Sequence, residues 1–282
     1  MKSLIVFATC LSLVALSAIA GPAEHVKESI DAEGAEEIMI NMEFGAGELL
    51  MSGANQSDAA VIEIDYDPRR VEYVAEYRTR GRTGYLDLET VNRRERDIDT
   101  EDNRWLVTLS KRYTYEINAD IGASDAELQL GGIPLREINL NIGAASAELK
   151  FQEPNPIRME VFDLDVGAAS LEGDLLGNAN FEELNFSGGA GSFELDFRGE
   201  YKGQSRITID VGLGSCDITL PEDVPIRIES DGGGWLSSID IHGGPTDEID
   251  DGIHESPDFD GADTRIILEI DVGLGAVDIY FK

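Results

Sequence analysis

The chain has 282 residues, 42% of them hydrophobic, with 56 acidic and 22 basic side chains and a formal net charge of −34. Its apolar content suffices for a packed core and argues against disorder, while the charge excludes nucleic acid, whose binders need basic faces. The partners such a field admits are cations and basic surfaces, and adaptation to a saline medium produces the same excess of acid.

Residues 1–20 read as a secretory signal peptide: Lys2, an apolar run from Leu4 to Leu16, then Ser-Ala-Ile-Ala before Gly21. A lipid-anchored alternative places Cys10 at the mature terminus behind an unusually short leader. Removing the leader takes one lysine and no acid, so −34 becomes −35. Cys216 is then the only thiol, and one cysteine forms no internal disulfide. No later segment reaches the roughly 18 apolar residues that span a bilayer. The expected product is exported, periplasmic or extracellular, with no transmembrane segment.

Residues 21–112 open with a glycine corner, "INMEFGAGELLM" around Gly45, and continue with strand-like "AAVIEIDYD", "VEYVAEY", "TGYLDLE" and "RWLVTLS". Pro68, Gly81 and the charged run "NRRERDIDTEDNR" break these up. A β-rich end cap is expected here, because a stacked fold needs its first layer covered. Residues 69–96 carry Arg69, Arg70, Arg78, Arg80, Arg82, Arg93, Arg94 and Arg96 against five acids, a local +3 that leaves −38 for the rest of the mature chain. The plain reading pairs these arginines with acids of the first coils; the alternative is an anionic envelope polymer or head-to-tail association.

From residue 113 a pattern recurs: "INADIGASDAELQL", "INLNIGAASAELKF", "FDLDVGAASLEGDL", "LNFSGGAGSFELDF", "ITIDVGLGSCDITL" and "LEIDVGLGAVDIYF". The corner glycines are Gly122, Gly143, Gly167, Gly189, Gly212 and Gly273, at gaps of 21, 24, 22, 23 and 61 residues. The long gap holds a worn copy centred on Gly233. Apolar residues alternate at one, three and five positions before each glycine and at four, six and eight after it, so each copy reads as strand, tight turn, strand with one buried face. A unit of about 22 residues buries too little to fold alone and must share its sheets with neighbours. The expectation is an all-β protein whose residues 113–282 form a β-solenoid of about seven parallel coils, with an acidic insertion at 242–263.

Five residues after each glycine stands an acid: Glu127, Glu148, Glu172, Glu194, Asp217 and Asp278. These fall out of step with the buried positions, so a column of outward carboxylates is expected, with calcium as the candidate cation to offset its repulsion. Two residues before the glycine, Asp120, Asn141, Asp165, Ser187 and Asp210 predict acids alternating with neutral residues. In the insertion, Asp258, Asp260 and Asp263 resemble a fragment of a calcium loop without its full ligand series, so a solvated loop is expected. The glycine corners end in neither a dinucleotide fingerprint nor a P-loop, and their period is far from that of nonapeptide calcium rolls.

For catalysis, His25, His242 and His254 assemble no triad with the available nucleophiles, and Cys216 shares a column with Ala126, Ala147, Leu171, Phe193 and Val277, where a small core hydrophobe belongs. No catalytic residue and no cofactor is assigned. The enzyme alternative is a polysaccharide hydrolase or lyase working through surface carboxylates.

"NMEFGAGELLMSG" together with "DIGASDAELQLGGIPLREINLNIGAASAELKF" resembles the bacterial toast-rack family, and "RIILEIDVGLGAVDIYFK" is similar to the C-terminal domain of LiaF-type cell-wall-active antibiotic response proteins and to candidate adhesin domains. The resemblance covers residues 36–282. It implies a β-solenoid tied to the cell envelope, of unassigned molecular activity, that binds an envelope component or protein partner through an outer face. LiaF-type proteins carry membrane spans before the solenoid, and this chain departs from them in having only a leader there.

Overall fold

The computed structural model describes residues 24–92, 103–231 and 237–282. The expected leader with Cys10, the arginines Arg93, Arg94 and Arg96, and the corner at Gly233 lie outside the described residues. Within them the chain is all-β: 18 strands joined edge to edge, with two short 3-10 turns at Leu176–Ala179 and Phe259–Gly261. No helix among them is long and apolar enough to cross a membrane.

The N-terminal strands are β1 (Glu24–Ile30), β2 (Glu37–Ala54), β3 (Ala60–Tyr66), β4 (Val71–Arg80), β5 (Thr83–Asn92) and β6 (Asn103–Ser110). The repeat copies supply β7 (Thr114–Gln129), β8 (Leu135–Ile142), β9 (Ser146–Lys150), β10 (Met159–Val166), β11 (Ser170–Asp174), β12 (Phe181–Asp196) and β13 (Gln204–Leu220). The C-terminal part adds β14 (Ile226–Asp231), β15 (Ser237–His242), β16 (Asp247–Asp250), β17 (Ile253–Glu255) and β18 (Arg265–Phe281).

Before the corner, each copy pairs in parallel with its neighbour, residue for residue: Ile117 faces Ile138, then come Phe162, Leu184, Ile207 and Leu268. Beyond the corner the column runs Ala126, Ala147, Leu171, Phe193, Cys216 and Val277, as the period-two pattern requires. All of these residues are buried. The corners themselves lie in single file. A Cβ added at Gly167 would stand 2.9 Å from the Gly143 carbonyl oxygen, one at Gly189 2.7 Å from that of Gly167, and one at Gly212 2.8 Å from that of Gly189. Only glycine permits that approach of one backbone to the next.

Order in space departs from order in sequence at both ends. The early copy β2 is the direct neighbour of β7, with Phe44 opposite Ile121, and β5 and β6 lie parallel on its other side as one further layer. The worn copy, β14 with β15, pairs in parallel with β18, which itself pairs with β13. The chain thus leaves β13, lays down the outermost layer and returns to fill the place between. Antiparallel strands cover most of the outer edges: β4 on β5, β3 on β6 with β1 on β3, and β17 on β14 with β16 on β17. Such coverage answers the exposed-edge problem of an open parallel stack.

Inside, Trp105 meets Phe44 and Tyr73 edge to face at 5.9 and 6.4 Å between ring centres, and Phe186 meets Phe193 at 5.1 Å. On the return turns, Asn155 is fully buried. Its amide donates to the Leu135 carbonyl at 2.7 Å and the Ala179 carbonyl at 3.1 Å, and its oxygen accepts from the Leu135 and Ile157 N–H groups at 3.2 Å. These bonds replace the water that the turn carbonyls lose on stacking.

Candidate functional site

The carboxylates five residues after the corners do form one file. Glu127, Glu148, Glu172, Glu194, Asp217 and Asp278 occupy successive rungs, and Asp240 of β15 extends the file beyond Asp278. Asp240 was hidden from sequence reading because it stands seven residues after Gly233 instead of five: the registers of β14 and β15 on β18 differ by two residues. The file's ends are tied down: Lys150 bridges Glu127 and Glu148, and His242 Nε2 lies 2.6 Å from Asp278 Oδ1 while its ring stacks on Tyr280 at 4.7 Å. Hydrogen bonds donated to Glu148 and then to Glu127 hold the Lys150 ammonium well above its ordinary pKa, and hydrogen bonds from Gln129 and then Lys150 lower that of Glu127. Among the described residues, no three His, Cys, Asp or Glu side chains converge as metal ligands would. The rungs present carboxylates in a line, about 4.8 Å apart.

Midway along the file a shallow basin of about 300 Å³ gathers Glu172, Glu194 and Asp217 with Asp196, Arg198 and Lys282. Arg198 is already clamped on Asp196, Nη2 to Oδ2 at 2.6 Å.

The second column keeps its alternation only inside the array. Asp120, Asn141, Asp165, Ser187 and Asp210 are successive rungs, and Asn141 Nδ2 donates to Asp120 Oδ1 at 2.8 Å. At the ends the rearranged layers bring like charges together, Glu89 beside Glu43 beside Asp120, and Asp210 beside Asp271. One more column went unread: the amides four residues before the corner, where Asn41 donates to Asp87, Asn139 to Asn118 and Asn185 to Asp163 at 2.8 to 2.9 Å. Asparagine recurring at that offset was the available signal.

The second column forms the wall of a trough of about 830 Å³ that runs along the glycine file from Glu43 to Gly189. The residue after the glycine is alanine at 46, 123, 144, 168 and 190, and becomes Leu213 and Leu274, both exposed, in the layers beyond the trough.

Other sequence-level candidates fall elsewhere. Cys216 is buried and its thiol is pushed up to about 12 by burial, then by Asp217, which makes it a core residue without nucleophilic character. Arg69 pairs with Asp67, Arg78 with Asp87 and Arg82 with Glu36, while Arg80 lies 5.9 Å over the Tyr85 ring. His25 bonds Asp65 at 2.8 Å, remote from the file that holds His242. In the insertion, Asp258 and Asp260 flank and enter a 3-10 turn whose Phe259 packs under Arg265.

An all-β chain of in-register parallel layers joined at glycine corners is a stacking protein whose surfaces are columns. The chain belongs to the toast-rack family: residues 19–172 match the N-terminal domain of toast_rack, DUF2154. No curated protein matches it. Among solved structures it is similar to a candidate cell adhesion protein of Clostridium sporogenes, at 17% identity over 92% of this chain and 100% of that one, TM-score 0.49. It is also similar to a candidate adhesin of Bacteroides fragilis, at 10% identity over 91% and 97% of the two chains, TM-score 0.40. A third, from Parabacteroides merdae, has 14% identity over 92% and 97%, TM-score 0.36.

Proposed function

We propose that the protein is an exported, non-enzymatic scaffold of the cell envelope: a β-solenoid that residues 21–112 cap and that holds its partner on an outer face. The observation that carries this reading is the residue-for-residue parallel stacking of the repeat copies, which repeats each surface side chain along a line and so presents extended faces. Repeated columns suit attachment to another extended molecule, as in other solenoids. Leader-like residues 1–20 support export. Fractionation of producing cells, with crosslinking in place before lysis, tests this. The tagged chain is expected in the envelope or the medium, crosslinked to an envelope component; recovery in the cytoplasm with its first 20 residues retained would reject it.

The basin at Glu172, Glu194 and Asp217 favours a second reading, a polysaccharide-acting enzyme, since carboxylates one rung apart, about 4.8 Å, approach the roughly 5 Å separation of retaining glycosidases. Release of reducing ends from purified envelope glycans, lost in Glu194→Gln, would establish it in place of the first.

A further inference from the structure

We propose that the chain associates head to tail with further copies of itself, the β1 and β4 end of one rod docking on the β15 and β16 end of the next. Such association extends the scaffold beyond one rod and needs no envelope attachment. The two ends are stepped in opposite senses. At the amino-terminal pole the pre-corner strands stop at β4, while the post-corner strands run one further, through β3 to β1. At the other pole the post-corner strands stop at β15, while the pre-corner strands run on from β14 through β17 to β16. The sheet that protrudes at one pole is therefore the sheet that is recessed at the other. Seated together, β1 lies along β15 and the overhang that carries β16 lies against β4.

The edges that meet are open and alike. Among the described residues neither β1 nor β15 pairs on its outer side, and they are 7 and 6 residues long. The core is unfinished at both. Ile239 and Ile241 are half-buried although Val277 and Ile279 beside them in β18 are fully buried, and Val26 is half-buried beside fully buried Ile64. β1 is antiparallel to β3 and β3 to β6, so β1 runs in the direction of the repeat strands, as β15 does. Laid on β15 it makes one more parallel rung, which is how an open edge of this kind is satisfied.

Charge selects the opposite end over the same one. Residues 237–264 hold nine acids and no lysine or arginine, with β16 wholly exposed, so two such ends repel. Residues 69–82, around β4, carry five arginines against Glu72 and Glu76. Arg80, exposed over the Tyr85 ring, has no carboxylate partner among the described residues. Opposite potentials steer head onto tail. Ile249, 56% exposed within β16, adds an apolar contact to the overhang. A contact between unlike ends leaves each copy one end free, so growth is open-ended.

The test is sedimentation of the protein, purified as the producing cell processes it, over rising concentration. The average mass should climb past that of a dimer without levelling, and climb less at high salt. Arg78→Glu/Arg80→Glu on the head and Asp247→Lys/Asp250→Lys on the tail should each weaken association about tenfold. An equal mixture of the two variants should recover it, because each altered end then meets its complement. A second readout stands if a charge variant fails to fold. Lys27→Cys and Asp240→Cys, both at exposed positions and carried on separate chains, should join through a short bismaleimide to each other and neither to itself, Cys216 being buried. A monomer at every concentration, a mass that stops at the dimer, or no recovery on mixing would overturn the proposal. Envelope attachment is read by fractionation instead, so either idea can fail while the other stands.

Discussion

Phe193 fills the space that Gly188 leaves empty: a Cβ on Gly188 would come within 2.5 Å of the Phe193 ring. The two positions, one before the corner and four after it, are occupied as Ile121 with Ala126, Ile142 with Ala147, Val166 with Leu171 and Val211 with Cys216 in neighbouring layers. Each layer keeps a similar volume by trading one side chain against the other, as close packing demands. Phe193→Ala should cost about 3–5 kcal/mol, and Gly188→Ile about 1–3 kcal/mol by overpacking. The double variant reproduces the Ile142/Ala147 layer and should recover much of the loss in urea denaturation. Additive losses would refute the exchange.

Asn155 is expected to matter more than any surface residue. Asn155→Ala strands the Leu135 and Ala179 carbonyls and the N–H groups of Leu135 and Ile157 in the interior. A loss of about 3 kcal/mol follows from the cost of unmatched buried groups, visible as a lower urea midpoint at unchanged slope.

Acid titration should find Asp67. Hydrogen bonds from the Arg69 side chain and backbone hold this carboxyl at about 2, below its ordinary 3.8. A depressed carboxyl stabilises the fold fully above its unfolded-state pKa, so this contribution is complete above about pH 4 and disappears as the pH falls toward 2. Asp67→Asn should flatten the fall in stability between those values and lower stability at neutral pH; an unchanged pH profile would contradict the assignment.

The carboxylate file predicts a salt response. Like charges one rung apart repel by about 0.9 kcal/mol in a water-like dielectric, and added salt screens them. The melting temperature should rise with sodium chloride, and Lys150→Gln should steepen that rise by freeing Glu127 and Glu148. Calcium chloride at matched ionic strength should give the same melting temperature; a clear calcium excess would instead assign the file a bound cation.

Much of this was legible in the residues. The corner spacing identified which glycines share a file, and the column shared by Cys216 with Ala147 and Leu171 marked it as core. Reading failed where spatial neighbours are not chain neighbours. Asp271 lies beside Asp210 and Asp240 beside Asp278 because β18 sits between β13 and the worn copy, and periodicity predicts contact only between consecutive units. The place of β5 escaped notice for the same reason: "TGYLDLE" has no glycine corner, so nothing in its pattern showed that it lies beside β2.

The placement of β18 also orders events in time. The seventeen residues of β18 supply the rung on which β14 and β15 rest, so those strands lack their parallel partner until β18 is made. Assembly from the amino end can proceed layer by layer as far as β13 and must then wait. β18 sits between its neighbours like a keystone, and a chain without that strand would leave both β13 and the outermost layer with naked edges.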